Sequence, residues 1–382
     1  MNNTHLQQIF ANYIERFEEL NNAEHQEYFK WQVAKQFQGE MDQVLSASRE
    51  DLPAKLREVR KLTFNLIDNF TQPFYGLSKM AEEEPDTVRE MFLNLYQDDG
   101  GDLSQRQRRI TDFLNQSEEL RKRYYSDSFL YKNDFHSVTG YLFLYDPDHN
   151  YLYKATNARM FADCIAFYDD WGSGDDVKLD VYYRMCDQLV QAIKKSDALM
   201  ATDASRFCNG WGEDPETMHP DPEKHILAFD LIYCCSAYGL FDGISFDVPK
   251  LKERQLMRER KQRACELQEA WENAVREKEK FEEAKKYVNL VYAVGTELHH
   301  SQYGDGIIKE NSGARITVDF PGTGEKKLGT FVSAAKGIVS ADVEGYIDHM
   351  AEYRYYLEKE SAINWRAKNA EQELAPYAEY LE

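Results

Sequence analysis

Long apolar runs are missing from this sequence. The aromatic stretch Tyr141–Tyr145 is about as long as such runs become among its 382 residues, whereas about 20 are needed to carry a helix across a bilayer. No membrane-spanning helix is expected, and no membrane partner. The opening Met1-Asn2-Asn3-Thr4-His5 has neither the basic nor the apolar region of a secretory signal. The expectation is a cytoplasmic chain.

Paired cysteines are also missing. The six cysteines stand at 164, 186, 208, 234, 235 and 265, and the only close pair is adjacent, so no disulfide framework can be read. Cys208, His219, His225 and Cys234 are spaced too loosely for the closely paired ligands of a zinc site. Buried, reduced cysteine is the reading, with no metal and no cofactor.

Positive charge is scarce: 46 Lys and Arg stand against 67 Asp and Glu, for a formal net charge of −21. Such a chain repels phosphate backbones at long range, which excludes a general nucleic-acid coat protein. Local basic clusters still stand out at Arg106, Arg108 and Arg109, at Arg121, Lys122 and Arg123, and from Lys250 to Arg263, including Arg258, Arg260 and Lys261. These are the candidate contacts for DNA or a partner, although helices commonly carry such runs as solvated faces.

Catalytic signatures are absent too. The sequence has no phosphate loop, no Gly-x-Ser-x-Gly elbow, no His-Glu-x-x-His helix and no Gly-x-Gly-x-x-Gly loop. One loose pattern remains. Pro147-Asp148 followed by Asp176-Val177-Lys178 matches an arrangement in which two carboxylates hold a metal and a lysine orients water. Asp148, Asp176 and Lys178 are therefore the catalytic set of an alternative, nuclease reading, against which stands the helix predicted after Leu179. Asp169, Asp170, Asp175 and Asp176 around Gly172-Ser173-Gly174 lack the ligand spacing of a calcium loop and read as a solvated turn. Trp171 and Trp211, each in a glycine-rich acidic loop, read either as exposed contact anchors or as buried loop staples.

What is present is core material, 42% hydrophobic and 13% aromatic, enough for two or three buried cores. Leu6, Ile9, Phe10, Tyr13, Ile14 and Phe17 recur at helical spacing. Asp51-Leu52-Pro53 starts a further helix, and residues 103–125 form a basic one. The texture changes after 125, where Tyr141–Tyr145 runs into the turn residues Asp146–Asn150, predicting a mixed α/β module over 126–248 that includes a polar loop from Cys208 to Lys224. Residues 249–289 read as a long charged helix. Its stripe Ala264, Leu267, Trp271, Ala274 and Phe281 matches a second one, Tyr346, Met350, Tyr353 and Leu357, in a C-terminal helix over 342–382. An antiparallel helical hairpin with a β-module at its tip is the simplest packing.

Between them, residues 290–341 alternate short strands with glycine turns: Gly304-Asp305-Gly306, Ser312-Gly313, then the face-alternating Arg315–Phe320. The series Val294-Gly295, His299, Tyr303-Gly304-Asp305-Gly306-Ile307, Ile316–Phe320 and Glu325–Leu328 resembles the Tudor-like (SH3-like) barrel at the C-terminus of UvrD-type helicases. The resemblance covers about 50 residues and implies a docking module for protein or nucleic acid, without the helicase motor. Tyr303, Phe320 and Phe331 would then line a shallow groove with Lys326 and Lys327 at its rim, unless these aromatics are the barrel's own core. Tyr13–Glu15 through Tyr28–Gln38, and Leu142–Asp148 continuing to Asn150–Lys154, resemble N-terminal stretches of McrBC-type modification-dependent restriction proteins over 1–245, again without motor or nuclease core. That similarity implies phage defence or DNA sensing.

The expected fold is α+β and mainly helical: a helical region at 1–125, a mixed module, and a helical hairpin carrying a small SH3/Tudor-like barrel. The expected function is a non-enzymatic recognition or adaptor component of a bacterial DNA-related system, binding DNA or a DNA-associated protein. The alternatives are the nuclease and a purely structural interaction protein, dimeric through its long helices.

Overall fold

The computed structural model describes residues 1–63, 65–67, 71–126, 129–208, 215–335, 337, 339–341 and 346–381. They form a mainly helical α+β chain with a small antiparallel sheet near the C-terminus. Two compact units divide it, Met1–Arg254 and Gln255–Glu382.

In the first unit the described residues form helices joined by turns, around one apolar cluster that extends from Leu6 to Leu240. The expected stripe near the N-terminus is there: Leu6, Ile9, Phe10 and Tyr13 are the buried face of the helix Asn3–Glu15. The mixed α/β expectation for 126–248 is corrected, since the described residues of that region hold no strand. Tyr141–Tyr145 is the end of a helix, Phe135–Tyr145, started by a capping box between Asp134 and Ser137. That helix is buried on nearly all sides, so its sequence carries no amphipathic period, and a short apolar run of this kind reads alike as strand or buried helix. The helix His225–Ala237 is buried in the same way. Trp171 is a buried staple whose indole N–H donates to the Tyr153 hydroxyl at 3.2 Å. Trp211, with Gly210 and Gly212, lies outside the described residues. Cys164, Cys186, Cys234 and Cys235 are buried and free, whereas Cys265 is exposed.

Charge lies inside this core as well. Lys30 and Asp230 are both buried and form an ion pair that Glu27 joins. Asp230 also accepts from the Tyr13 hydroxyl at 2.6 Å, and Tyr13 accepts from Arg206 at 2.9 Å. Each buried charge thus has an opposite partner or a hydrogen bond, the condition under which burial is tolerated.

The second unit takes most of the long helix Leu251–Val291 and the helices Tyr346–Glu358 and Glu360–Leu374. Pairings that descend along one helix as they ascend along the others make the hairpin antiparallel. They run from Tyr292 with Tyr346, through Phe281 with Tyr353, to Glu277 with Arg366. Phe281, the last residue of the expected stripe, shares one apolar cluster with Ala284, Val288, Tyr353, Tyr356 and Ile363, so the chain's own C-terminal helices cover that end of the stripe.

The sheet comprises β1 (Glu297–His300), β2 (Gly304–Asn311), β3 (Arg315–Phe320), β4 (Gly324–Gly329) and the short β5 (Val339–Ser340). Its order is β4-β3-β2-β1-β5 with every pair antiparallel, so the sheet is open, with β4 and β5 at its edges. Gly304 and Gly313 take φ of +75° and +82°, the left-handed region that the turns require. Gly306 serves differently: a Cβ there would lie 2.6 Å from the Phe320 ring.

Candidate recognition groove

Alternation decides what this sheet offers. Leu298, Ile308, Ile316, Val318 and Phe320 point into the apolar cluster with the hairpin helices. The intervening positions form the opposite face, where register partners stand side by side. Glu297 faces Ile307 and His299 faces Asp305 across β1 and β2, and Ile307 faces Asp319 across β2 and β3. These residues, with Leu298, Gly306, Pro321 and Ala341, line an open groove of about 740 Å³.

The groove is acidic with an apolar patch. Glu297 is exposed, Ile307 is 41% exposed, and Asp305 and Asp319 present their carboxylates to solvent. His299 Nδ1 is 2.7 Å from Asp305 and Lys309 is 3.9 Å from Asp319. Both contacts sit on side chains that are about half exposed or more, where pairing is weak and easily exchanged. The arrangement suits an incoming cation flanked by an apolar side chain.

The expected aromatic groove is placed differently. Tyr303 is half-buried, stacked on His300 with ring centroids 4.5 Å apart and lying 5.4 Å from the fully buried Phe320. Lys326 is close by, its ammonium 5.8 Å from the Tyr303 ring. Phe331 is half-buried and packs on Tyr353 at 5.5 Å, against the edge of the core. Lys327 is exposed, paired in register with Thr317.

The basic clusters of the helical unit are largely engaged. Arg106, 7% exposed, donates to both oxygens of Asp99 at 2.7 and 2.8 Å, and Arg109 shares that carboxylate. Burial pushes the Asp99 pKa up, but the two guanidinium groups and the Gly101 N–H outweigh it and hold it at about 2. Arg121 and Lys122 hold Glu118, and Arg123 holds Glu84. Arg108 is exposed. In the second unit Arg260 donates to the Tyr380 hydroxyl at 2.7 Å, while Arg258 and Lys261 are half-buried.

Asp148 lies 3.9 Å from His219, whose pKa burial lowers despite that neighbour. Asp176 and Lys178 are exposed in the turn before the helix Leu179–Lys194, lining a groove with Leu103 and Gln107. Lys178 is thus presented from a turn and not from a strand. Among the described residues the one cluster of three potential metal ligands is Glu27, Asp230 and Cys234, and the Lys30 ammonium is already paired with both of its carboxylates.

Sequence reading did not identify Glu297, His299, Asp305, Ile307 or Asp319 as a site. Alternation in Arg315–Phe320 was visible, but the face shared by three strands depends on their pairing register. No family model matches the chain, and no curated protein and no solved structure matches it.

Proposed function

We propose that the chain is a non-enzymatic recognition or adaptor protein that docks a basic segment of a partner protein on the open face of its small sheet. The observation that carries this is the groove in which Glu297, Asp305 and Asp319 surround the exposed Ile307. Complementary charge steers and selects partners, and an apolar contact adds affinity that salt does not screen. DNA-associated proteins are rich in lysine and arginine, so a partner of that class within a bacterial DNA-related, phage-defence system fits the groove better than DNA itself. The Tudor-like (SH3-like) reading of 290–341 is supported by the five-strand antiparallel order and by the short helix Thr330–Ala335 between β4 and β5. Pairing of Arg106, Arg109, Arg121, Lys122 and Arg123 with carboxylates leaves less charge for phosphate contact.

The test is fluorescence anisotropy of the full chain with a labelled peptide of alternating Lys and Leu, and in parallel with labelled duplex DNA. The peptide is expected to bind in a salt-dependent manner, and Asp305→Asn with Asp319→Asn to weaken it about tenfold, or about 1.4 kcal/mol. Tighter binding of DNA than of peptide, or peptide binding unaffected by the double variant, would overturn the proposal.

A further inference from the structure

A second cavity, in the helical unit, concentrates chemistry that the groove does not use. It holds about 450 Å³ and is lined by Lys30, Lys154, Glu27, Phe29, Phe229 and Tyr233, among others. Three features of it belong together.

First, Lys30 is locked as an ammonium. Its side chain is 1% exposed and is paired with Asp230 and Glu27. Burial acts to lower its pKa, but Asp230, Cys234 and Glu27 outweigh burial and raise it above the usual lysine value. Second, Lys154 has no such partner. It stands at the N-cap of the helix Ala155–Cys164 and is half-buried. Among the described residues no carboxylate lies within ion-pair distance of it, and its Nζ lies 4.6 Å from the centroid of the Tyr233 ring. Third, the Lys30 ammonium lies 4.4 Å from the centroid of that same ring. The two amines therefore share one aromatic side chain at the wall of one cavity.

Desolvation of a lysine near another ammonium is an arrangement that favours the neutral, nucleophilic amine. The direction of the Lys154 shift agrees, since burial and then the Lys30 charge lower its pKa while Glu27 opposes them. We infer that this cavity is a site for a small aldehyde or ketone, which Lys154 captures as a reversible imine. The Lys154 nitrogen attacks the carbonyl carbon to give a carbinolamine. Loss of the carbonyl oxygen as water, with the two protons of the amine, then leaves the C=N bond. No electrons are exchanged, and hydrolysis releases the ligand unchanged. Phe29 and Phe229 give the carbonyl compound an apolar wall, so the site favours a ligand with a hydrocarbon portion.

The test uses pyruvate and cyclohexanone as probes on the full chain at neutral pH, with cyanoborohydride to reduce the imine and peptide mass mapping to locate it. Lys154 is expected to be modified at least tenfold faster than the exposed Lys178 and Lys327, with a rate that saturates as probe concentration rises. Lys154→Gln, which removes the amine without adding a charge, should remove that adduct alone. Modification of Lys154 no faster than of the exposed lysines, or a rate linear in probe throughout, would overturn the inference, and the wild-type measurement decides this even if the variant folds poorly. The groove of the second unit plays no part in either outcome.

Discussion

The hydroxyls of Tyr292 and Tyr346, 54 residues apart in sequence, meet in a buried hydrogen bond of 2.7 Å. Tyr292 ends the outgoing arm of the hairpin and Tyr346 begins the return, so the bond closes the hairpin where the sheet is inserted. Replacing Tyr346 by phenylalanine leaves the Tyr292 hydroxyl unsatisfied in the core, at a cost of about 1–2 kcal/mol, whereas replacing both tyrosines costs less than the sum of the two single effects. A double-mutant cycle by urea denaturation checks this, and additive single effects would contradict it.

Lys30 and Asp230 predict a larger effect in the other unit. Lys30→Met removes the cation and leaves two buried carboxylates facing each other, which should destabilise the helical unit by about 3–5 kcal/mol. Adding Asp230→Asn should recover part of that loss. Trp31 reports the unfolding by fluorescence, since it lies in the core with the Arg206 guanidinium 3.7 Å from its ring.

Acid should act through Asp99. Its pKa of about 2 in the folded chain lies below the value of about 3.9 expected when unfolded. The unfolded state therefore binds the proton more readily, and this carboxylate's contribution is fully present above about pH 4 and lost as pH falls towards 2. The loss amounts to about 2 kcal/mol. Asp99→Asn should lower stability at neutral pH and flatten this acid limb, as urea midpoints measured at pH 2, 4 and 7 would show. An unchanged pH profile would count against it.

Gly306 should resist any side chain. A Cβ there would meet the Phe320 ring at 2.6 Å and Val318 at 2.8 Å, so Gly306→Ala overpacks the sheet by about 1–3 kcal/mol. Because the two units have separate apolar clusters, hydrogen exchange should show β2 and β3 opening while the helix His225–Ala237 keeps its protection.

The cysteines and the small sheet show how much of the molecule could be read locally. The expectation of buried, reduced cysteine holds for Cys164, Cys186, Cys234 and Cys235, whereas Cys265 is exposed. The strand Arg315–Phe320 was legible residue by residue because period-two alternation is a property of the strand itself. The recognition groove was less legible. Its members sit on three strands and become neighbours only through register, while the basic residues that stood out in sequence turned towards Asp99, Glu118 and Glu84.

By itself the sequence determined what depends on near neighbours: the mainly helical character, the long charged helix with its stripe, the alternating strand and the turn at Gly313. Tertiary structure alone decided what depends on distant ones. It made Tyr141–Tyr145 part of a buried helix, buried Trp171 as a staple, and set Lys30 against Asp230 across 200 residues. The physical reason is that periodicity records which side of an element faces apolar surroundings, whereas an ion pair or a shared cavity is recorded in no single segment of chain.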